Sequence, residues 1–142
     1  MCVLRVSGER FDPDAFLASS EFVPTKVFNR GEPSVLRSRG PSKSSGFVVP
    51  VSDRSWADLQ GQVDDGVAFL RKNRAELLRL AGDTTVDDVR LDFPTKLRLD
   101  GESVMAQFDY LPPALIAEAG PLRIGIELSL YPPTWDGGVD AG

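Results

Sequence analysis

Three pairs of carboxylates have a spacing that could support chemistry in this chain: Asp12-x-Asp14, Asp64-Asp65 and Asp87-Asp88. Carboxylate oxygens are the ligands that Mg²⁺ and Ca²⁺ prefer, so each pair is a candidate for a metal site. The first pair is also typical of a helix N-terminus, where the helix dipole favours negative charge. Adjacent helical residues point about 100° apart, so the second pair converges poorly on one ion. We therefore interpret the pairs as a helix N-terminus and two solvated faces, and expect no metal.

Histidine is absent from the sequence, and Cys2 is its single cysteine. A Ser-His-Asp triad or a Cys-His pair cannot be assembled within the chain, and neither a zinc site nor an internal disulfide framework is expected. Only carboxylate, lysine, tyrosine or serine chemistry remains. The sequence therefore favours a protein that is not an enzyme and carries no cofactor.

The run Gly40–Ser44 superficially resembles a phosphate-binding loop. It lacks the Gly-Lys-Ser/Thr ending, the preceding apolar strand and the following helix that align backbone amides on a phosphate. Lys43 lies beside serines, but a Ser/Lys nucleophile pair needs a lysine desolvated in a buried pocket. We assign neither activity to this run.

Positive charge is concentrated in residues 26–43, which we call the basic segment. It contains five cations against one carboxylate: Lys26, Arg30, Arg37, Arg39 and Lys43. The net charge is +2 over residues 1–50 and −7 over residues 51–142, for a total of −5. Duplex nucleic acid needs a broad positive face, so we expect no nucleic-acid partner. Complementary charge suits a protein partner, and we predict these five residues as a partner- or anion-binding site.

Local signals divide the first half of the chain into strands and helices. Residues 2–7 are predicted as a strand, and Asp12-Pro13 as the N-cap and first turn of a helix over 13–19. Strands over 24–29 and 46–51 flank a loop over 29–45. A long helix over 55–81, capped by Ser55, is predicted from apolar residues at three- and four-residue steps: Trp56, Leu59, Val63, Val67, Leu70, Leu77 and Ala81.

The second half predicts strands over 86–93 and 103–109 joined by an Asp100-Gly101 hairpin, a helix from Pro112-Pro113 to Ala119, and a last strand over 122–131. The order βαββαββαβ predicts an α+β fold, a mostly antiparallel mixed sheet with helices packed on one face. We expect a single domain over 1–131 and a flexible C-terminal tail over 132–142. No run approaches the roughly 18 apolar residues of a membrane span, so we expect a cytoplasmic protein without a membrane partner.

Several short runs resemble the DUF4279 family, small bacterial proteins without an assigned function. They are Phe11-Asp12-Pro13, Pro24-Thr25-Lys26, Arg30-Gly31-Glu32, Ser45-Gly46-Phe47 and the strand over 122–131. The resemblance covers residues 3–131, with a mild departure at Phe47, where related sequences often have tryptophan. It implies a small bacterial protein and supplies no catalytic residues.

Three functions remain open at this point. The first is a non-enzymatic binding protein, of the immunity type that neutralises a toxin by binding it, since an acidic protein can occlude a basic toxin by charge complementarity. The second is a small module that holds an anionic ligand between sheet and helices through Lys26 and Arg30. The third, ranked last, is a carboxylate-dependent enzyme.

Overall fold

The computed structural model describes residues 1–34 and 39–134. Within them the elements follow in this order: β1 (Cys2–Gly8), α1 (Pro13–Leu17), β2 (Lys26–Phe28), β3 (Ser45–Ser52), α2 (Leu59–Lys72), α3 (Arg74–Gly82), β4 (Asp88–Lys96), α4 (Pro113–Ala119) and β5 (Gly125–Tyr131). A 3-10 turn over Gly120–Leu122 joins α4 to β5. Most of the predicted C-terminal tail, residues 135–142, lies outside the described residues.

The strands form one sheet in the order β2-β3-β1-β4-β5. The pairs β2–β3, β3–β1 and β1–β4 are antiparallel, whereas β4–β5 is parallel. Parallel strands cannot be joined by a tight turn, and α4 supplies the crossover between β4 and β5. The predicted α+β fold with a mostly antiparallel mixed sheet is therefore confirmed.

Apolar side chains alternate along the central strands and meet the helices on one face of the sheet. On β1 the buried positions are Cys2, Leu4 and Val6, while the residues between them are half-buried on the other face. All four described helices contribute to the same core. Five of the seven residues of the predicted helical stripe are buried, Leu59, Val63, Val67, Leu70 and Leu77, whereas Trp56 and Ala81 are half-buried. We call the opposite side, which these helices leave uncovered, the open face.

The long helix predicted over 55–81 is in fact two helices that meet at Asn73. The backbone N–H and side-chain amide of Asn73 both donate to the carbonyl of Phe69, at 3.0 and 2.9 Å, which closes α2. The first helix begins at Leu59, because Asp58, and not Ser55, accepts the capping hydrogen bond from the N–H of Gly61 at 2.9 Å. Trp56 therefore precedes the helix, where it stacks on Tyr131 with ring centroids 4.5 Å apart.

The prediction of a strand over 103–109 is wrong, and so is the hairpin at Asp100-Gly101. β5 lies beside β4, in the place expected for the predicted strand, and residues 103–109 pair with no described strand. The observed order is βαββααβαβ. Three other elements are shorter than predicted: the first helix ends at Leu17, the second strand covers only Lys26–Phe28, and the last strand begins at Gly125.

Candidate functional site

The structure places four of the five predicted site residues on one arm rather than around a pocket. The arm extends the β2–β3 pair: the N–H of Gly31 donates to the carbonyl of Ser42, and the N–H of Ser42 to the carbonyl of Glu32, both at 2.8 Å. Pro33 and Pro41 form a further bridge. The predicted loop over 29–45 is therefore a paired hairpin in its described parts, with Gly31 and Gly40 at positive φ.

The cations of the basic segment have different settings on this arm. Lys26 lies exposed on β2, and Arg39 and Lys43 lie exposed on the returning side. The guanidinium of Arg30 pairs with Glu9 at 3.3 Å, so an anion at this site would compete with a carboxylate. Arg37 lies outside the described residues. The role of the basic segment in partner or anion binding stays a prediction.

The predicted carboxylate pairs each find a partner that is not a metal. Asp12 caps α1 by accepting the N–H of Ala15 at 3.1 Å, as predicted. Asp65 accepts the hydroxyl of Ser52 at 2.7 Å, and this hydrogen bond lowers its pKa. Among the described residues, no group of three His, Cys, Asp or Glu side chains could hold a metal ion.

A network of alternating charges lies on the open face and was not predicted from the sequence. Arg90 donates to Asp88 on its own strand and to Glu127 on β5, and these two hydrogen bonds raise the pKa of its guanidinium. Arg5 on β1 lies 3.6 Å from Asp92, which also accepts a hydrogen bond from Ser129. The signal in the sequence was the two-residue spacing of Asp88, Arg90 and Asp92, because alternate strand residues share a face.

A shallow hollow of about 240 Å³ lies on the open face at this network. Its lining includes the guanidinium groups of Arg5 and Arg90, but also the carboxylates of Asp88 and Glu127. Those carboxylates already hold Arg90. An anionic ligand would have to displace them and meet their repulsion, so the hollow does not favour the small anion-binding module.

A second surface lies at the end of the sheet where β4 finishes, on the segment over 97–111. Polar contacts hold this segment to itself and to β4. The backbone N–H of Arg98 donates to the Gln107 side chain at 2.7 Å, and its guanidinium pairs with Asp109 at 2.9 Å. The Gln107 amide donates in turn to Asp109 at 2.8 Å and to the carbonyl of Lys96 at 3.3 Å. The segment is an Ω-like loop with its ends tied together by side chains.

Asp100 organises the tip of this loop. Its carboxylate accepts the backbone N–H groups of Glu102, Ser103 and Val104, each at 2.8 Å, and the hydroxyl of Ser103. These hydrogen bonds, with that of the hydroxyl first, lower the pKa of Asp100 well below its usual range. The next residue, Gly101, has a φ of 77°, which glycine adopts without strain. The tip is therefore a capped turn.

Three large side chains of this loop, two of them aromatic, are exposed to solvent. Met105 is 74% exposed, Phe108 88% and Tyr110 64%. These three side chains form what we call the apolar loop surface. The backbone behind it is fixed, since the carbonyl of Tyr110 accepts a hydrogen bond from Gln60 of α2 at 2.9 Å. The sequence had predicted a strand over 103–109, which includes Met105 and Phe108, and did not predict their exposure.

Cys2, the single cysteine of the chain, is not activated as a nucleophile. Cys2 is fully buried, and burial, followed by the negative charge of Asp92, raises the pKa of its thiol to about 12. The thiol is therefore protonated at neutral pH, as a structural cysteine is.

None of the described helices has the length and apolar character needed to cross a bilayer.

No protein-family model, no curated protein and no solved structure matches this chain. The resemblance to the DUF4279 family stays a prediction.

Proposed function

We propose that this chain is a non-catalytic binding protein that docks a protein partner through the apolar loop surface. The observation that carries the proposal is the 88% exposure of Phe108 on a loop that its own side-chain hydrogen bonds hold together. Large exposed apolar side chains grouped on one surface are typical of interaction sites. Aromatic residues and methionine are also the types enriched at protein interfaces.

The ordered backbone supports the proposal energetically. A partner that docks on a flexible loop must offset the entropy of ordering it, which subtracts from affinity. Here the Asp100 turn and the contacts among Arg98, Gln107 and Asp109 hold the loop in place before binding. Burial of Phe108 can then contribute nearly in full, and burying an aromatic side chain of this size contributes about 1.5–3 kcal/mol.

Charge around the surface indicates what the partner looks like. Asp100 and Glu102 are exposed carboxylates at the rim, and the chain as a whole carries a net charge of −5. Opposite charge at the rim speeds association and excludes partners of the same sign. The partner we propose is a basic protein with an apolar pocket for Phe108. A toxin neutralised by an immunity-type protein is one form of such a partner.

Site-specific photocrosslinking tests this function directly. The chain is expressed in the organism that encodes it, with benzoylphenylalanine in place of Phe108. The matched control carries the same residue in place of Leu78, which lies 48% exposed on α3 away from the loop. We expect a defined adduct with one basic protein from position 108 and none from position 78.

The dissociation constant of the captured protein, measured with the wild-type chain and with variants, then gives the contribution of the loop to binding. Phe108→Ala is expected to raise the dissociation constant at least about tenfold, because truncating an anchor at the centre of an interface costs about 2 kcal/mol or more and about 1.4 kcal/mol corresponds to tenfold. Leu78→Ala should leave it unchanged. The same adducts from positions 108 and 78, or an adduct of two copies of this chain alone, would contradict the proposal.

A further inference from the structure

The outer edge of β5 carries backbone groups that no described strand pairs with. β5 is the last strand of the sheet, and its inner side pairs in parallel with β4. The carbonyl of Tyr131 accepts the N–H of Leu97 at 2.8 Å, so Tyr131 directs its backbone groups toward β4. Backbone direction alternates along a strand. Ile126, Leu128 and Leu130 therefore direct their N–H and C=O groups outward.

Such an edge is a template for pairing with another strand, and proteins usually blunt it with lysine, proline or a bulge. Within Gly125–Tyr131 there is no lysine and no proline, and Glu127 is the single charged residue. That carboxylate pairs inward with Arg90. The edge therefore lacks the usual protection against strand addition.

The sequence of β5 is self-complementary in one antiparallel register. With Leu128 opposite Leu128 of a second copy, Ile126 pairs with Leu130 and all outward backbone groups of both chains find partners. Glu127 then lies opposite Ser129, and Gly125 opposite Tyr131.

Neighbouring registers are worse for identifiable reasons. Centring on Glu127 places two like charges directly opposite each other, which destabilises a sheet. Centring on Ser129 sets Ile126 against Pro132, which has no N–H to donate. A shift of the register by one residue would place the apolar side chains of the second copy on the face of the sheet opposite to those of the first. The Leu128 register therefore satisfies the backbone without a charge clash.

Exposed apolar side chains lie where this pairing would cover them. Leu130 is 57% exposed on the helix side of β5. On α4, Ile116 is 52% exposed and stands two residues before Glu118, which reaches Arg71 on α2 at 2.8 Å. Residues two apart on a helix point about 200° apart, so Ile116 points away from α2. Ile116 is therefore an exposed apolar side chain on the flank of α4 opposite α2.

We propose that two copies of this chain pair through the free edges of β5, antiparallel about Leu128, to form one continuous ten-stranded sheet. The helices of both copies lie on the same side of that sheet, because the two-fold axis runs perpendicular to it. This dimer is independent of the proposed docking through the apolar loop surface.

The mass of the purified chain in solution is the first test, measured by sedimentation velocity over a range of protein concentrations. We expect twice the 15.5 kDa of one chain at high concentration. Leu130→Lys introduces a charge at the paired edge and should raise the dimer dissociation constant at least about tenfold. The control Leu78→Lys changes another exposed leucine, which lies on α3, and should leave the mass unchanged.

Disulfide trapping tests the register, since Cys2 is buried and does not compete. In the proposed pairing, cysteines at Leu128→Cys meet at about 5.5 Å between Cα atoms, within the range of a disulfide. Cysteines at Leu130→Cys would be separated by about 14 Å, because residue 130 of one copy lies opposite residue 126 of the other, four residue steps along the strand from that copy's residue 130. Mild oxidation should therefore trap the first variant and not the second. A wild-type mass of one chain at every concentration, a dimer that Leu130→Lys leaves intact, or preferential trapping of the more exposed Leu130→Cys would each overturn the proposal.

Discussion

Substitution of Gly46 tests how closely β3, the strand that follows the arm, packs against β1. Gly46 lies buried on β3 opposite Ser7 of β1, beside Phe47, whose ring packs against Phe11, Phe16 and Phe22. A Cβ atom at Gly46 would lie 1.9 Å from the carbonyl oxygen of Val6 and 3.0 Å from the Cα of Ser7. Both neighbours are backbone atoms, so Gly46→Ala requires β1 and β3 to separate.

The size of that separation determines the expected loss of stability. Ordinary contacts of a Cβ begin at 3.4 Å, so the oxygen must retreat by about 1.5 Å from its distance of 1.9 Å. A ladder hydrogen bond of about 2.9 Å that lengthens by this amount is broken. Each lost bond costs about 0.5–1.5 kcal/mol, and a buried group left without a partner about 1–3 kcal/mol. We expect Gly46→Ala to lower the free energy of unfolding by about 3 kcal/mol or more.

Urea unfolding followed by far-UV circular dichroism measures this loss. The matched control is Gly82→Ala at the end of α3, where a Cβ would meet nothing within 4 Å and φ is not positive. That variant should be unchanged or more stable by up to about 1 kcal/mol, because alanine restricts the unfolded chain. If the two variants unfold at the same urea concentration, the close approach of β1 and β3 at Gly46 is refuted.

Three further predictions concern a core leucine, the buried thiol and the loop tip. Leu70→Ala should lower the free energy of unfolding by about 2–5 kcal/mol in urea titrations, whereas Leu78→Ala, at an exposed position, should change it by less than about 0.5 kcal/mol. The raised pKa of Cys2 means that, as the pH rises, the thiol ionises in the unfolded state before it does in the folded state. The free energy of unfolding is therefore unaffected by this group below about pH 8.5, and it falls by up to about 1.4 kcal/mol per pH unit between there and pH 12. That slope should be smaller in Cys2→Ala, and an identical pH profile would contradict the burial of the thiol. The lowered pKa of Asp100 means that its turn loses stability only as the pH falls below about 4; Asp100→Ala should speed amide exchange at residues 102–104 at neutral pH, with an unchanged rate arguing against the turn.

Local features of the fold followed from the sequence because short-range interactions decide them. Asp12 and Pro13 start α1 as predicted, since a cap needs only its own helix turn. The apolar stripe that includes Leu59 and Leu70 is buried as its spacing indicated. The break at Asn73 was missed because it depends on one side chain competing for the carbonyl of Phe69.

Both proposed binding surfaces depend on which strand lies beside β4, and the sequence alone does not carry that information. Residues 103–109 and 125–131 both alternate and could each serve as a strand. The chain places β5 next to β4 by a parallel crossover through α4, so the first segment is excluded from the sheet and exposes Phe108. The same choice leaves the outer edge of β5 unpaired by described strands and assembles Arg5, Arg90 and Glu127 on the open face. The sequence by itself determined that no histidine is present to act and that residues 26–43 carry a local excess of positive charge, because counting residues suffices for both. Tertiary structure alone decided which apolar residues reach solvent, because burial depends on long-range pairing that competes among segments of similar local pattern.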